Sequence, residues 1–162
     1  MIRMARSWAI VIEQHRLSRW APLPMRLIIG YGFFAHGLAK LSKGPDNFVA
    51  IVGALGVPMP HLMAWLTILI ELIGGLLIMA GAFTLPLLLP MAAVLLVALF
   101  TVHLPYGFTS IKLMAVTPSG PRFGPPGMET DLLYLAGLIT LLVGGPGPLA
   151  IDNWWARRQT SC

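Results

Sequence analysis

Glu71 is the residue most out of place in this chain. It sits within the apolar run Leu66-Thr67-Ile68-Leu69-Ile70-Glu71-Leu72-Ile73-Gly74-Gly75. A bare carboxylate there costs on the order of a few kcal/mol unless it is paired, protonated or turned to a wet cavity. His36 and Lys40 lie four apart and so share one helix face. His103 and Glu129 stand at the ends of two further apolar runs. Antiparallel helices would gather these four residues into one leaflet, around a cavity with Glu71 at its floor. Two imidazoles, an ammonium and two carboxylates under an apolar roof can trade protons near neutrality. That suits proton-coupled redox chemistry on a quinone headgroup, with Glu71 and His103 as the catalytic proton carriers and His36, Lys40 and Glu129 as substrate-binding groups. It also suits recognition of a small polar ligand. A structural role competes, with Glu71 bonded across the helices to fix their register and Lys40 reaching to the headgroups.

The elements that must position these residues follow from composition. Of 162 residues, 57% are hydrophobic and 10% charged, against about a quarter charged in a soluble domain. Such a surface cannot stay wet, so lipid is part of the solvent. The expected fold is all-α: a membrane-spanning antiparallel four-helix bundle with a short N-terminal amphipathic helix. About 20 residues cross the hydrocarbon core, which places helices at about 23–41, 62–82, 85–104 and 128–144. They form one transmembrane domain over 22–152, after an N-terminal segment (1–21) and before a tail (153–162). Gly81-Ala82-Phe83-Thr84 makes the second and third helices a hairpin, and Pro90 is expected to bend the third or loosen a turn. Gly30, Gly32, Gly37, Gly74 and Gly75 allow close helix packing. At about 100° per residue, Met4, Ala5, Trp8, Val11 and Ile12 fall on one side of a surface-lying helix. Arg3, Arg6, Ser7, Glu13 and Gln14 fall on the other. Phe48, Ile51, Val52 and Leu55 recur at helical spacing after Pro45-Asp46-Asn47, predicting a short helix between the first two spans. The proline- and glycine-rich stretch from Pro105 to Gly127 reads as a functional lid, with a disordered loop as the alternative.

The net charge of +5 does not signal nucleic acid, because no recognition motif accompanies it. Arg3, Arg6, Arg16, Arg19, Arg26, Arg157 and Arg158 fall on the side of both termini, and Lys40, Lys43, Lys112 and Arg122 on the other. The positive-inside rule then puts both termini in the cytoplasm. The apolar core at Ala9-Ile10-Val11-Ile12 is shorter than the roughly 7–15 residues of a signal peptide. Cys162, the single cysteine, cannot form an intramolecular disulfide. His36 and His103 are thin evidence for haem axial ligands, and no cluster for another metal is expected.

In order and spacing, several short motifs resemble the DoxX/DoxD family of small prokaryotic membrane proteins. They are Arg26, Gly37-Leu38-Ala39-Lys40, Leu55-Gly56-Val57-Pro58, Glu71-Leu72-Ile73-Gly74-Gly75, Gly81, His103 with Gly107-Phe108, Glu129, and Gly145-Pro146-Gly147 leading to Leu149 and Asp152. The resemblance covers roughly Arg26 to Asp152. It implies a four-helix bundle in the prokaryotic cytoplasmic membrane and adds Arg26 to the substrate-binding set. Some members resemble the membrane subunit of thiosulfate:quinone oxidoreductase, which implies quinone as a ligand and a partner protein or a second copy. No cysteine lies near the expected pocket, so a persulfide relay by this chain is not expected. A solute or proton transporter and a scaffold for a partner protein are the competing readings.

Overall fold

The computed structural model describes residues 18–159; the amphipathic segment expected over residues 2–14 lies outside them. The chain is mostly helical. Helix α1 (Pro22–Ser42) opens on prolines, whose missing N–H groups cost little in a first turn. A short α2 (Pro45–Ala54) follows Gly44, which takes φ 95°. Helices α3 (Pro60–Ala80) and α4 (Thr84–Tyr106) are each long and apolar enough to cross a membrane. They are joined by a turn in which Gly81 and Phe83 are both left-handed, at φ 68° and 51°. Helix α5 (Glu129–Gly144) and a terminal α6 (Ile151–Gln159) complete the helical part.

Helix α1 packs along α3, and α5 lies against both α1 and α4. The α1–α3 contact is close because glycine faces glycine. A Cβ on Gly75 would come within 2.6 Å of the Gly30 carbonyl oxygen and of the Phe34 backbone nitrogen. Ile29, Phe33, Ile78, Leu88, Met91, Leu138 and Leu141 form the buried core. Outside it the surface remains apolar: Leu27, Ile28 and Tyr31 on α1, Leu69 and Ile73 on α3, Leu89 and Phe100 on α4, and Leu133 and Val143 on α5 are all exposed.

Two helices carry a local widening. In α3 the turn Ile70–Gly74 and in α4 the turn Leu99–His103 adopt π geometry, with hydrogen bonds reaching one residue further than in an α-helix. Pro90 sits inside regular α-helix, so the loosened turn of α4 lies further on than that proline suggested.

The all-α expectation needs one correction. Strands β1 (Leu113–Thr117) and β2 (Gly120–Phe123) form an antiparallel hairpin, pairing Thr117 with Gly120 and Ala115 with Arg122. Val116, Thr117 and Phe123 around Pro118-Ser119-Gly120 are strand residues around a turn. The density of proline and glycine in this stretch hid the signal. The tail expected from 153 onward is also helical as far as Gln159.

The glycine contact makes a sharp comparison between neighbours. Gly75→Ala should destabilise by about 1–3 kcal/mol, because its Cβ meets immovable backbone. Gly74→Ala should be nearly silent, since its Cβ would meet only the Leu87 and Met91 side chains at 3.8 Å. Thermal unfolding of the two purified variants checks this: equal melting temperatures would show that α1 and α3 do not approach through Gly75.

Candidate functional site

The close approach of α1 and α3 sets the geometry of the site. A Cβ on Gly37 would meet Glu71 and Leu72 at 2.9 Å, so glycine there lets α1 lie directly over the glutamate. One turn on, Lys40 reaches down, and its Nζ donates to both Glu71 carboxylate oxygens at 2.5 Å. Glu71 is 4% exposed. The ammonium also lies 4.9 Å from the centroid of the Phe48 ring, which α2 supplies. Glu71 belongs to the widened turn of α3, and the extra residue in that turn changes the direction in which the carboxylate leaves the helix.

A second acid–base pair comes from α4 and α5. His103 Nδ1 lies 2.5 Å from Asp131 Oδ2, and Asp131 is 5% exposed. A carboxylate at Nδ1 holds a proton there and leaves Nε2 as the basic nitrogen. His103 closes the widened turn of α4 as Glu71 occupies that of α3.

Both pairs line one cavity of about 830 Å³, the size of a site for a small organic ligand. His36, Lys40, Glu71, His103, Asp131 and Tyr134 supply its polar wall. Lys43, Asn47 and Thr130 add further polar groups, and the rest is apolar: Leu66 and Ile70 of α3, Val94, Val97 and Ala98 of α4, and Phe48, Ile51 and Val52 of α2 with Leu55 just beyond its end. Thr67 and Thr101 also line it, but their hydroxyls donate to Met63 and Val97 carbonyls of their own helices. They therefore add little polarity to the wall. The exposure of Leu66 and Val97 places the α3–α4 side of the cavity at the apolar exterior.

Four of the six residues singled out from sequence, Glu71, His103, His36 and Lys40, meet at this cavity. Glu129 does not. Its Oε2 accepts the backbone N–H of Ser110 at 2.9 Å, tying the loop before the hairpin to the start of α5. The reason is helical phase: Asp131, two residues on, is turned inward where Glu129 is turned to the loop. Arg26 does not reach the cavity either. It is buried at the other end of α1, where Nη1 donates to the Pro146 carbonyl at 2.7 Å. The residue missed was Asp131. Its signal was present, since a second acid in the first turn of α5 stands three residues before Tyr134, which also lines the cavity, but only the partner on α4 gives it a role. No residue from Pro105 to Gly127 lines the cavity; the stretch expected as a lid holds the β1–β2 hairpin and is tied to the start of α5 through Ser110. No group of three or more potential metal ligands occurs among the described residues.

The DoxX family profile matches residues 21–104. An uncharacterized membrane protein of Mycobacterium tuberculosis is 30% identical over 85% of this chain and 83% of its own length. CatD of Bacillus subtilis, named as a proposed oxidoreductase, is 37% identical over 80% of this chain and 83% of its own. An uncharacterized protein of Haemophilus influenzae is 28% identical over 80% and 86%. No solved structure matches. The chain belongs to the DoxX family and is a membrane protein of that family.

The buried ion pair yields a test that does not depend on function. Lys40→Met alone strands the Glu71 carboxylate and should cost about 3–5 kcal/mol. Adding Glu71→Gln to it should restore much of that loss, because the remaining amide is neutral. Melting temperatures of the two variants decide it; a double variant no more stable than the single one would mean the two side chains are not paired.

Proposed function

We propose that this chain is the membrane-spanning subunit of a quinone-linked oxidoreductase system, in which the cavity takes a quinone headgroup and the paired acids and bases manage its protons. In this reading α1, α3, α4 and α5 form a four-helix transmembrane bundle in the prokaryotic cytoplasmic membrane, with both termini cytoplasmic. Helices α1 and α5 are less apolar or shorter than the other two, but charged residues on them are paired or buried. Lys40 is paired to Glu71, Asp131 to His103, and Arg26 is buried. What they present outward is leucine, isoleucine, valine and tyrosine, as lipid contact requires.

The observation that carries the reading is the cavity: apolar along its length, reaching the lipid-facing side between α3 and α4, and carrying both acid–base pairs on its wall. That combination fits an amphiphile with a polar head and a long apolar tail. A bound quinone would supply a carrier of two electrons and two protons. The chain's own residues would do the rest. Lys40, held by Glu71, offers an N–H to a carbonyl oxygen. His103, with its Nδ1 proton fixed by Asp131, presents Nε2 to the headgroup and can pass a proton to or from it. His36 widens the polar rim. Electrons would come from a partner protein; the oxidoreductase part of the reading is supported by the name of the Bacillus subtilis relative.

Quinone retained by gently purified protein, seen as a quinone band in a reduced-minus-oxidised ultraviolet spectrum, is the expected result. Ala98→Trp, which fills the tail side of the cavity, should abolish that band while the protein still folds. Glu71→Gln should keep the protein folded and stop quinone turnover with its partner. A Glu71→Gln variant that turns over like the wild type would sink the redox reading. A scaffold would show a flat spectrum in wild type and variants alike.

A further inference from the structure

The charged groups of the two ends are not balanced alike. Among the described residues, Lys40, Lys43, Lys112 and Arg122 share the cavity end with Asp46, Glu71, Glu129 and Asp131. Among the same described residues the opposite end carries Arg19, Arg157 and Arg158 together with the buried Arg26, against Asp152. Asp152 has a structural commitment too: its two carboxylate oxygens accept the backbone N–H groups of Phe83 and Thr84 at 2.8 and 2.9 Å.

That commitment also fixes α6 on the end of the bundle. Its backbone N–H at Asp152 donates to the Gly81 carbonyl at 2.9 Å, and Trp155 packs edge-on against Phe83 with centroids 5.2 Å apart. The helix is thereby held in place with Trp154 half exposed and the Arg158 guanidinium 3.6 Å over its ring. At the same end Arg19 lies 6.0 Å from the exposed Trp20 ring. Tryptophan under arginine is the side-chain chemistry of a membrane interface, with the ring at headgroup depth and the guanidinium on phosphate. At this end a mostly apolar groove of about 370 Å³ runs between the start of α1 and the end of α5, lined by Ala21, Pro22, Ile139 and Val143 with Ser18 and Thr140. It offers an acyl chain a berth at the same end of the bundle.

We infer that α6, with Arg157 and Arg158, is a docking surface for anionic phospholipid headgroups of the leaflet at this end of the bundle. The inference rests on the membrane reading above but is independent of what the cavity binds. Anionic lipid is favoured over a protein partner because the excess charge, the exposed tryptophans and the acyl-sized groove share one end of the bundle.

Native mass spectrometry of the full chain released from detergent, titrated with phosphatidylglycerol or phosphatidylcholine, tests it. Phosphatidylglycerol should be retained with a preference that falls roughly tenfold in Arg157→Gln/Arg158→Gln, about what two basic residues at an anionic surface contribute at the least. Lys112→Gln/Arg122→Gln, which removes the same charge from the other end, should keep the preference. Equal retention of the two lipids overturns the inference, as does an equal loss in both double variants. A lipid-free dimer that depends on Arg157 and Arg158 overturns it too, assigning the surface to a second copy. Alkaline carbonate extraction separates the two readings. Protein released from the membrane fails the membrane reading itself, whereas protein retained without a lipid preference fails only this inference.

Discussion

The Lys40–Glu71 ion pair is the constraint around which the rest of the molecule is arranged. A charged carboxylate almost wholly removed from solvent is costly unless it is compensated, here by a counter-charge at contact distance, and that counter-charge comes from a different helix. Two sequence features make contact feasible. Glycines at 30, 37 and 75 strip the α1–α3 interface of side chains, so the helix axes approach closely enough for a lysine to reach across. The π turn at Ile70–Gly74 then turns the carboxylate toward it. Filling the glycine seam or regularising the turn would leave two charges apart in an apolar medium, where each is costly. The pair therefore selects one register of α1 on α3, and with it the wall of the cavity.

The two ends of the molecule are built on opposite principles. At one end, chain segments distant in sequence are sewn together by backbone and side-chain hydrogen bonds. Arg26 holds Pro146, Asp152 caps α4 through Phe83 and Thr84, and the left-handed Gly81 fits beneath Arg26 and Ala150. Satisfying the first N–H groups of α4 with a carboxylate from outside the helix matters more in an apolar setting than in water, where solvent would do it. From that stitched end α3 and α4 run to the other, where the cavity lies between them with α1, α2 and α5 around it. A rigid closed end lets an open one keep its shape without filling it, which is what a binding cavity needs.

The widened turns in α3 and α4 invite a common explanation. Each contains one member of an acid–base pair, Glu71 or His103, and each pair is completed by a residue of regular helix, Lys40 or Asp131. A π turn shifts every following side chain by part of a turn. Placing one in each of two facing helices allows a polar residue to point at the cavity while the helix on either side keeps its apolar face outward. The geometry thus reconciles a lipid-compatible exterior with a polar interior on the same helix.

Much of this was legible in the order of residues. Apolar runs long enough to span, punctuated by Pro45, Pro58, Pro60 and the Gly81 turn, determined helical segments; the glycines announced close packing; and Glu71, isolated among leucines and isoleucines, announced a buried polar site. These signals are local and survive in one dimension, because helix periodicity, turn chemistry and the cost of a buried charge act over a few residues. Which groups meet is not local. That Asp131 and not Glu129 turns inward depends on the helical phase of α5 set by its packing on α1 and α4. That Arg26 serves the far end, pinned on Pro146, depends on the chain returning there some 120 residues later. The π turns left no mark in composition, and the hairpin was masked by its prolines and glycines. The sequence by itself determined the elements and the presence of buried charge. Only the tertiary structure decided which charges pair and where the cavity opens, because pairing is a property of distances between helices, and those are set by all the contacts at once.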